Sequence, residues 1–299
     1  MKLNKLTLKD RVLFRRYLGL SGHKLSVYSF ENIFIWISLF NIRWQVIDAN
    51  LCVFFCDSIG CFLYFSPLGK TKSPEAVRVA FEVMDGCNKN KEISRIENVQ
   101  ESELDFYRDL GYTCKEKSLD YLCCRVDLAY LKGDKFKSKR ASCNYFIKHN
   151  DFEYLSYSSK HKDSCLWLYD YWMEQRLSKN NECFYRGMMQ DSLKSFQVLL
   201  DNFSKLDYTG RVVLIGGQLR AFTFGYRISA DTFCILYEIT DLMIKGLAQF
   251  IFRKFCSELK DYTYINIMDD SGLESLKKVK MSYHPAKLVP AYIAKRTVL

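Results

Sequence analysis

Two acidic side chains stand beside a possible anion site between Thr232 and Phe250, in the run TFCILYEITDLMIKGLAQF. This run is typical of an apolar strand that continues through a tight turn into an amphipathic helix. Small residues at such a turn let a phosphate or carboxylate approach the N–H groups at the helix start, here those of Lys245, Gly246, Leu247 and Ala248. Glu238 and Asp241 add ionisable groups next to it.

Acyl transfer to an amine or hydroxyl needs a nucleophile that is made neutral and a carbonyl that is held in place. Glu238 and Asp241 are therefore the catalytic candidates, and the backbone of Lys245 to Ala248 is the candidate donor site. Capping, or a salt bridge with Lys245, is the structural alternative for Glu238. Changing Gly246 to Glu is expected to abolish donor binding and to leave the fold intact.

A second acidic pair, Asp269 and Asp270, follows the predicted strand YTYINIM. Two adjacent carboxylates create a negative potential that suits a cationic aminoacyl group or an acceptor amine. The alternative is an Asx turn or an N-cap for a helix that starts near Ser271.

The stretch from Leu131 to Asn150 interleaves basic and aromatic residues, and Ser138 is expected to cap a helix there that runs through Lys148. Basic side chains neutralise phosphates while aromatic rings stack on bases, so single-stranded RNA fits this pattern, as do anionic lipid headgroups. A solvated linker helix is the third interpretation. The predicted contact residues are Lys135, Lys137, Lys139, Arg140, Asn144 and Lys148.

The elements that must position these residues occur twice. The segment Ile265 to Tyr283 aligns with Ile93 to Tyr112, and Arg211 to Tyr226 resembles Leu51 to Phe65 as a hairpin. A tandem duplication of one α/β unit explains both pairs. We predict a mixed α/β protein with an N-terminal domain at 1–130, a basic bridging segment at 131–157 and a C-terminal domain at 158–299.

Local signals predict the individual elements. Ser73 followed by Pro74 indicates a helix start, and Ser29 with Glu31 indicates another. Further helices are predicted at 7–20, from Glu101, at 158–177 and at 184–203, with strands near 43–48, 51–56, 60–65, 93–98 and 112–126.

Composition limits the class of protein. The 299 residues are 48% hydrophobic and 15% aromatic, which supplies a core and excludes a disordered chain, and the net charge of +10 favours polyanionic partners. The longest apolar run, near Ile33 to Ile42, is too short to span a membrane, so a cytoplasmic protein is expected. The 12 cysteines are expected to be buried free thiols, as at Cys52, Cys61, Cys123 and Cys234, and no metal site is predicted.

The loop at Gly246 and Ala248 resembles the acyl-donor loop of the GCN5-related N-acetyltransferase (GNAT) superfamily, although Met243 occupies its Gln/Arg position. The motif SxYSFxNxFIW (Ser26 to Trp36), the basic stretch and the last third of the chain resemble bacterial proteins similar to the C-terminal domain of phosphatidylglycerol lysyltransferases. The residues that fit the pattern in the last third are Asn266, Asp270, Gly272, Leu273, Leu276, Lys277, Lys280, Tyr283 and Pro285.

That resemblance implies two GNAT-like domains in tandem, with the donor groove in the second, and aminoacyl-tRNA as the donor for a lipid headgroup or a cell-wall amine. The expected function is an acyl- or aminoacyltransferase without a permanently bound cofactor, whose partner is tRNA or a coenzyme A thioester. The inner face of an anionic membrane is a further expected partner. The alternatives are an acyl-CoA-dependent N-acyltransferase and a noncatalytic module that binds RNA or membranes.

The leaving group gives a further indication. Acetyltransferases of the GNAT fold often protonate the departing thiolate with a tyrosine in the helix after the next strand. No tyrosine lies between Ser271 and Lys280, whereas the first copy has Tyr107. This difference favours an aminoacyl ester over a thioester.

Overall fold

The computed structural model describes residues 1–20, 22–178 and 182–296. Contacts group the chain into two compact units. Unit 1 comprises the described residues within Met1–Asp120, Asp269–Glu274 and Leu288–Leu299, and unit 2 those within Tyr121–Met268 and Ser275–Lys287. The ranges 1–130, 131–157 and 158–299 stay a prediction of how the sequence divides into domains.

Strands and helices alternate along the described chain. The strands are β1 (Asn4–Lys5), β2 (Asn41–Ile47), β3 (Asn50–Cys56), β4 (Cys61–Leu63), β5 (Ile96–Gln100), β6 (Tyr112–Cys124), β7 (Phe152–Ser156), β8 (Tyr208–Ile215), β9 (Gln218–Arg227), β10 (Thr232–Thr240), β11 (Tyr264–Asn266) and β12 (Lys287–Arg296). The α-helices are α1 (Arg11–Leu18), α2 (Phe30–Phe34), α3 (Pro74–Cys87), α4 (Leu104–Asp109), α5 (Arg125–Tyr130), α6 (Lys137–His149), α7 (Lys162–Leu177), α8 (Cys183–Asn202), α9 (Leu247–Glu258) and α10 (Glu274–Met281).

Helix starts follow the predicted signals where a side chain caps the backbone. Ser73 Oγ accepts a hydrogen bond from the backbone N–H of Ala76 at 2.9 Å, and α3 begins at the next residue, Pro74. Ser29 likewise accepts from the N–H of Glu31 at 3.1 Å before α2. The helix predicted at 7–20 is present as a short 3-10 turn, Leu8–Asp10, followed by α1.

The sheet of unit 1 has the strand order β1-β2-β3-β4-β5-β12. Its hairpins are antiparallel, and β4 and β5, which α3 connects, are parallel. The last strand, β12, pairs antiparallel with β5, for example at Ala291 with Gln100.

The sheet of unit 2 has the order β6-β11-β10-β9-β8-β7, where the end of β6 pairs with β11. β10 and β11 are parallel and α9 connects them. The order strand, helix, strand, helix, strand therefore occurs twice, as β4-α3-β5-α4-β6 and as β10-α9-β11-α10-β12. This confirms the predicted mixed α/β class and the predicted order of the repeated elements.

Apolar residues from both faces of these elements form the cores. In unit 1, Phe54, Phe81 and Ile96 belong to one buried cluster between the sheet and α3. In unit 2, Phe233, Phe255 and Ile265 belong to another, which joins β10, α9 and β11.

Two local expectations were wrong. Ser138 does not cap α6, because a 3-10 turn at Asp134–Phe136 precedes the helix and Phe136 holds the N-cap position. Cys61 is not a free thiol: the β3–β4 register places it opposite Cys56, and the two form a disulfide with a Cα–Cα distance of 4.0 Å.

Candidate functional site

The parallel strands β10 and β11 pair over only part of β10 within unit 2. Their pairing covers Thr232 to Cys234 of β10, after which the register of β10 against β9 shifts between Ile235 and Tyr237. β11 ends at Asn266, and Met268 has a positive φ of 61°. β10 continues to Thr240, and we call the boundary where it extends beyond its pairing with β11 the opening.

Glu238 lies on the part of β10 that borders this opening. The residue as a whole is half-buried, but its Oε2 atom is buried and has no hydrogen-bond partner among the described residues. Burial raises the pKa of this carboxyl to about 8, because it disfavours the charged form, and the positive charge of Lys139 opposes the rise. A carboxyl with a pKa near neutrality can both take and return a proton during a reaction.

Lys139 of α6 points toward the interior of unit 2. Its Nζ atom lies 3.6 Å from the centroid of the Tyr283 ring, and the side chain is half-buried. Burial lowers the pKa of Lys139, and the charge of Glu238 opposes that change. The two groups act on each other through space without a direct ion pair in the described part of the chain.

Tyr283 completes this group and was missed by the sequence reasoning. It is 8% exposed and its ring contacts Phe252 of α9, with 4.5 Å between the ring centroids. Burial, with a smaller contribution from Glu238, raises the pKa of its hydroxyl well above the usual value. The predicted position for such a tyrosine lay within Ser271 to Lys280, whereas Tyr283 follows α10 by two residues. The match of Tyr283 to the family pattern was the available signal in the sequence.

Asp241 has a different environment from Glu238. Its carboxylate accepts from Arg220 Nη1 at 3.1 Å and from the N–H of Met243 at 3.0 Å, and the residue is 5% exposed. These contacts shape the turn that follows β10. The catalytic role predicted for Asp241 stays a prediction.

Gly246 is held by its backbone conformation and by a close approach of α6. Its φ is +84°, and a Cβ atom built on it would lie 2.1 Å from the carbonyl oxygen of Ser142. The expectation that Gly246→Glu leaves the fold intact was therefore wrong, because any side chain here collides with the backbone of α6. Next to it, Leu247 is buried, Ala248 is half-buried and Lys245 is exposed.

The predicted basic contact residues divide into two groups. Lys139 is turned inward, and Arg140 donates through Nη1 to the carbonyl oxygens of Leu131 and Gly133, so both have internal roles. The exposed members of the set are Lys135, which pairs with Asp127 at 3.3 Å, and Lys137, Asn144 and Lys148.

Asp269 and Asp270 belong to unit 1, whereas the other candidates belong to unit 2. Asp269 Oδ1 accepts from the N–H of Ser271 at 3.2 Å, and Asp270 Oδ1 accepts from that of Gly272 at 2.9 Å. These are the Asx turns of the structural alternative. The predicted recognition of an amine by these residues stays a prediction.

No group of three or more His, Cys, Asp or Glu side chains within 1–20, 22–178 and 182–296 is arranged to hold a metal ion. None of the helices in these ranges combines the length and the apolar character that a membrane span requires.

Comparison with solved structures identifies the fold. A conserved protein of unknown function from Bacteroides thetaiotaomicron is 28% identical, with a TM-score of 0.88 over 99% of this chain and 100% of that chain. L-PGS from Bacillus licheniformis is 15% identical, with a TM-score of 0.68 over 98% and 93% of the two chains. A tandem GNAT protein from the clavulanic acid biosynthesis pathway is 6% identical, with a TM-score of 0.52 over 100% and 99%. The predicted fold of two GNAT-like domains in tandem is confirmed.

Comparison with curated proteins finds no match. The sequence pattern of the family described as phosphatidylglycerol lysyltransferase, C-terminal, matches residues 19–295. The predicted resemblance is thereby confirmed, and the chain belongs to the phosphatidylglycerol lysyltransferase C-terminal family.

Proposed function

We propose that this protein is an aminoacyltransferase that moves an aminoacyl group from aminoacyl-tRNA to an amine or hydroxyl acceptor, such as a lipid headgroup. Membership of the family supports a transferase of this general kind. The observation that carries the proposal is the Glu238 carboxyl, whose Oε2 atom is buried at the opening and has no hydrogen-bond partner in the part of the chain that the structure describes. A buried polar atom without a partner is costly, and such groups concentrate at functional sites.

In the proposed reaction, Glu238 acts as the general base. It takes a proton from the acceptor amine or hydroxyl while the acceptor attacks the ester carbonyl of the donor. The new bond forms between the acceptor atom and the carbonyl carbon, and the bond from that carbon to the ribose oxygen breaks. The proton on Glu238 then passes to the departing ribose oxygen, which restores the carboxylate and balances the reaction.

The start of α9 supplies the site for the donor. The first N–H groups of a helix have no acceptor within the helix, and they favour negative charge. Gly246 holds the N-cap position without a side-chain cap, and the N–H of Leu247 donates to the carbonyl oxygen of Ile244 at 3.3 Å. The N–H groups that follow in the first turn are the ones proposed to face the donor. A carbonyl oxygen or a phosphate of the donor is the expected occupant.

The exposed face of α6 supplies the contact for the RNA. Lys137 and Lys148 are exposed there, and Tyr145 is 41% exposed. The Tyr145 ring stacks on His149 with 4.1 Å between centroids, and Lys245 Nζ lies 4.6 Å from the same ring. Cations next to accessible rings suit a single-stranded RNA end, where phosphates and bases alternate.

An acyl-CoA-dependent N-acyltransferase is the second candidate, and Tyr283 favours it. Burial keeps the Tyr283 hydroxyl protonated, and a protonated phenol beside the site is a suitable proton donor for a departing thiolate. The two candidates differ in the donor that the site binds.

Titration at defined salt concentrations tests the proposal. The purified protein is titrated with charged tRNA, uncharged tRNA and acetyl-coenzyme A, and the affinity is recorded by anisotropy or calorimetry. Tighter binding of charged than of uncharged tRNA is expected, and the Lys137→Ala and Lys148→Ala variants should each reduce the slope of log K against log salt by about 0.7. Lys89→Ala, an exposed lysine of unit 1, is the matched control and should leave the slope unchanged.

Binding of acetyl-coenzyme A without binding of tRNA would replace the first candidate by the second. Binding of neither donor would contradict both.

A further inference from the structure

Lys139 occupies a position that is unusual for a lysine in the first turn of a surface helix. Lys137, two residues earlier, is exposed, whereas the Lys139 ammonium lies 3.6 Å from the centroid of the Tyr283 ring. An ammonium over the face of an aromatic ring is attracted by the ring quadrupole, and the attraction grows when water is excluded. This contact offsets part of the cost of partly burying the Lys139 ammonium.

The ring of Tyr283 is itself held firmly. It is 8% exposed and contacts Phe252 of α9 with 4.5 Å between ring centroids. Phe252 belongs to α9, the helix that begins at the proposed donor site.

Lys139 supplies the positive charge that acts on Glu238 within the described residues. The other titratable groups that interact with Glu238 are the Tyr283 hydroxyl and the Cys256 thiol of α9. Burial raises the pKa of both, so they are neutral near pH 7. Burial has the largest effect on the pKa of Glu238, and the Lys139 ammonium is the charge that opposes it, so the position of this ammonium contributes to the charge state of Glu238.

We propose that Tyr283 is a positioning residue: its ring holds the Lys139 ammonium in the interior of unit 2, where its positive charge acts on the Glu238 carboxyl and so on proton transfer at the proposed site. Lys139 thereby belongs to the transfer site and not to the surface that binds RNA. The inference rests on the proposed function for its effect on turnover, but its electrostatic part is measurable without any substrate.

NMR titration of carboxyl-labelled glutamate tests the electrostatic part. The Glu238 signal is assigned by its loss in the Glu238→Gln variant, and its midpoint is expected near the pKa of about 8. Lys139→Met removes the favourable charge and should raise the midpoint by about one pH unit. Tyr283→Leu should also raise the midpoint, because the Lys139 ammonium loses the aromatic ring that holds it. Tyr283→Phe keeps the ring and should leave the midpoint unchanged.

Lys137→Met is the matched control, since it removes an exposed ammonium from the same helical turn and should leave the midpoint unchanged. If Tyr283→Leu does not fold, the comparison of Lys139→Met with Lys137→Met still tests the role of the ammonium. Unchanged midpoints in both Lys139→Met and Tyr283→Leu would overturn the inference, as would an equal shift in Tyr283→Phe.

The pH dependence of kcat/KM separates this inference from the proposed function. A base acts when deprotonated, so a higher pKa of Glu238 moves the rising limb of the profile to higher pH, and activity at pH 7 falls about tenfold per unit. Unimpaired transfer by Glu238→Gln would contradict the proposed function and leave the NMR result standing. Abolished transfer in Glu238→Gln with an unshifted profile in Lys139→Met would contradict the positioning role alone.

Discussion

The two pairs of parallel strands differ in the side chains that lie just beyond them. In unit 1, β4 meets β5 at Leu63 and Ile96, and beyond this pair Asn98 Nδ2 donates to the carbonyl oxygen of Tyr64 at 2.8 Å. The hydroxyl of Tyr28 donates to the carbonyl oxygen of Asn98 at 2.9 Å. The Asn98 side chain thus bridges the two strands beyond their pairing.

In unit 2, Glu238 lies on β10 beyond the strand pair, and its Oε2 atom has no hydrogen-bond partner among the described residues. The acid of unit 1 that follows the strand pair, Glu97, accepts instead from Lys117 Nζ at 2.5 Å and from Arg95. The acid beyond the strand pair is therefore ion-paired in unit 1, whereas in unit 2 it has an oxygen without a hydrogen-bond partner among the described residues. An acid that the fold has already paired cannot act as a base without breaking its pairs.

The helices that follow β4 and β10, α3 and α9, also differ in how their first turns are capped. Ser73 caps α3 with its hydroxyl, and Pro74 removes one N–H donor from its first turn. α9 has Gly246 at its N-cap and no side-chain cap. The start of α3 is therefore capped by a side chain of its own, whereas the start of α9 is not.

Replacing Glu238 and Glu97 each by glutamine tests whether the two acids differ in role, and it should give the largest effects. Glu238→Gln should lower kcat for transfer about 10²–10⁴-fold, because it removes the general base. It should not lower Tm at pH 8.5, where it replaces a carboxylate whose Oε2 atom lacks a hydrogen-bond partner among the described residues. Glu97→Gln should leave kcat for transfer within about twofold of the wild type. It should lower the free energy of unfolding by about 1–3 kcal/mol. Equal effects of the two variants on kcat would show that the two acids do not differ in role.

Gly246→Ala tests the start of α9. The left-handed φ alone costs an alanine about 1–2 kcal/mol, and the contact with the Ser142 carbonyl adds to it. Gly133→Ala is the matched control, since its φ is +85° and a Cβ atom there meets nothing within 4 Å. Urea denaturation should show a larger loss of unfolding free energy for Gly246→Ala, and equal losses would mean that α6 moves aside.

Two variants test the hydrogen bond by which Asn98 bridges β5 and β4 in unit 1. Asn98→Ala removes the bond to Tyr64 and places an alanine at a φ of 51°, so the unfolding free energy should fall by about 1–3 kcal/mol. Asn98→Gly loses the same side chain but relieves the backbone, and it should be the more stable of the two. Transfer should be unaffected in both variants, and a selective loss of kcat in either would assign unit 1 a part in the chemistry.

Local signals in the sequence predicted the elements that depend on neighbouring residues. The start of α3 follows from Ser73 and Pro74, and the β3–β4 and β8–β9 hairpins follow from apolar runs on each side of a turn. The strand that carries Glu238 and the helix that follows it were predicted for the same reason.

The arrangement around Glu238 depends on residues far apart in the sequence and could not be predicted in this way. Charge along the basic stretch does not show which lysine turns inward, because that depends on the position of the Tyr283 ring. The shift in the register of β10 against β9 leaves no local sequence signal. The pairing of β12 with β5 joins segments that no short-range pattern connects.

The pairing of β12 with β5 also sets an order of events during synthesis. Gln100 leaves the ribosome long before its partner Ala291, and at about 5–20 residues per second the delay is roughly 10–40 s. Throughout that interval one edge of β5 exposes unpaired backbone groups, which can recruit strands of other chains. The nascent chain of this protein therefore has a long window in which a chaperone, or the early collapse of its own neighbouring segments, must shield that edge.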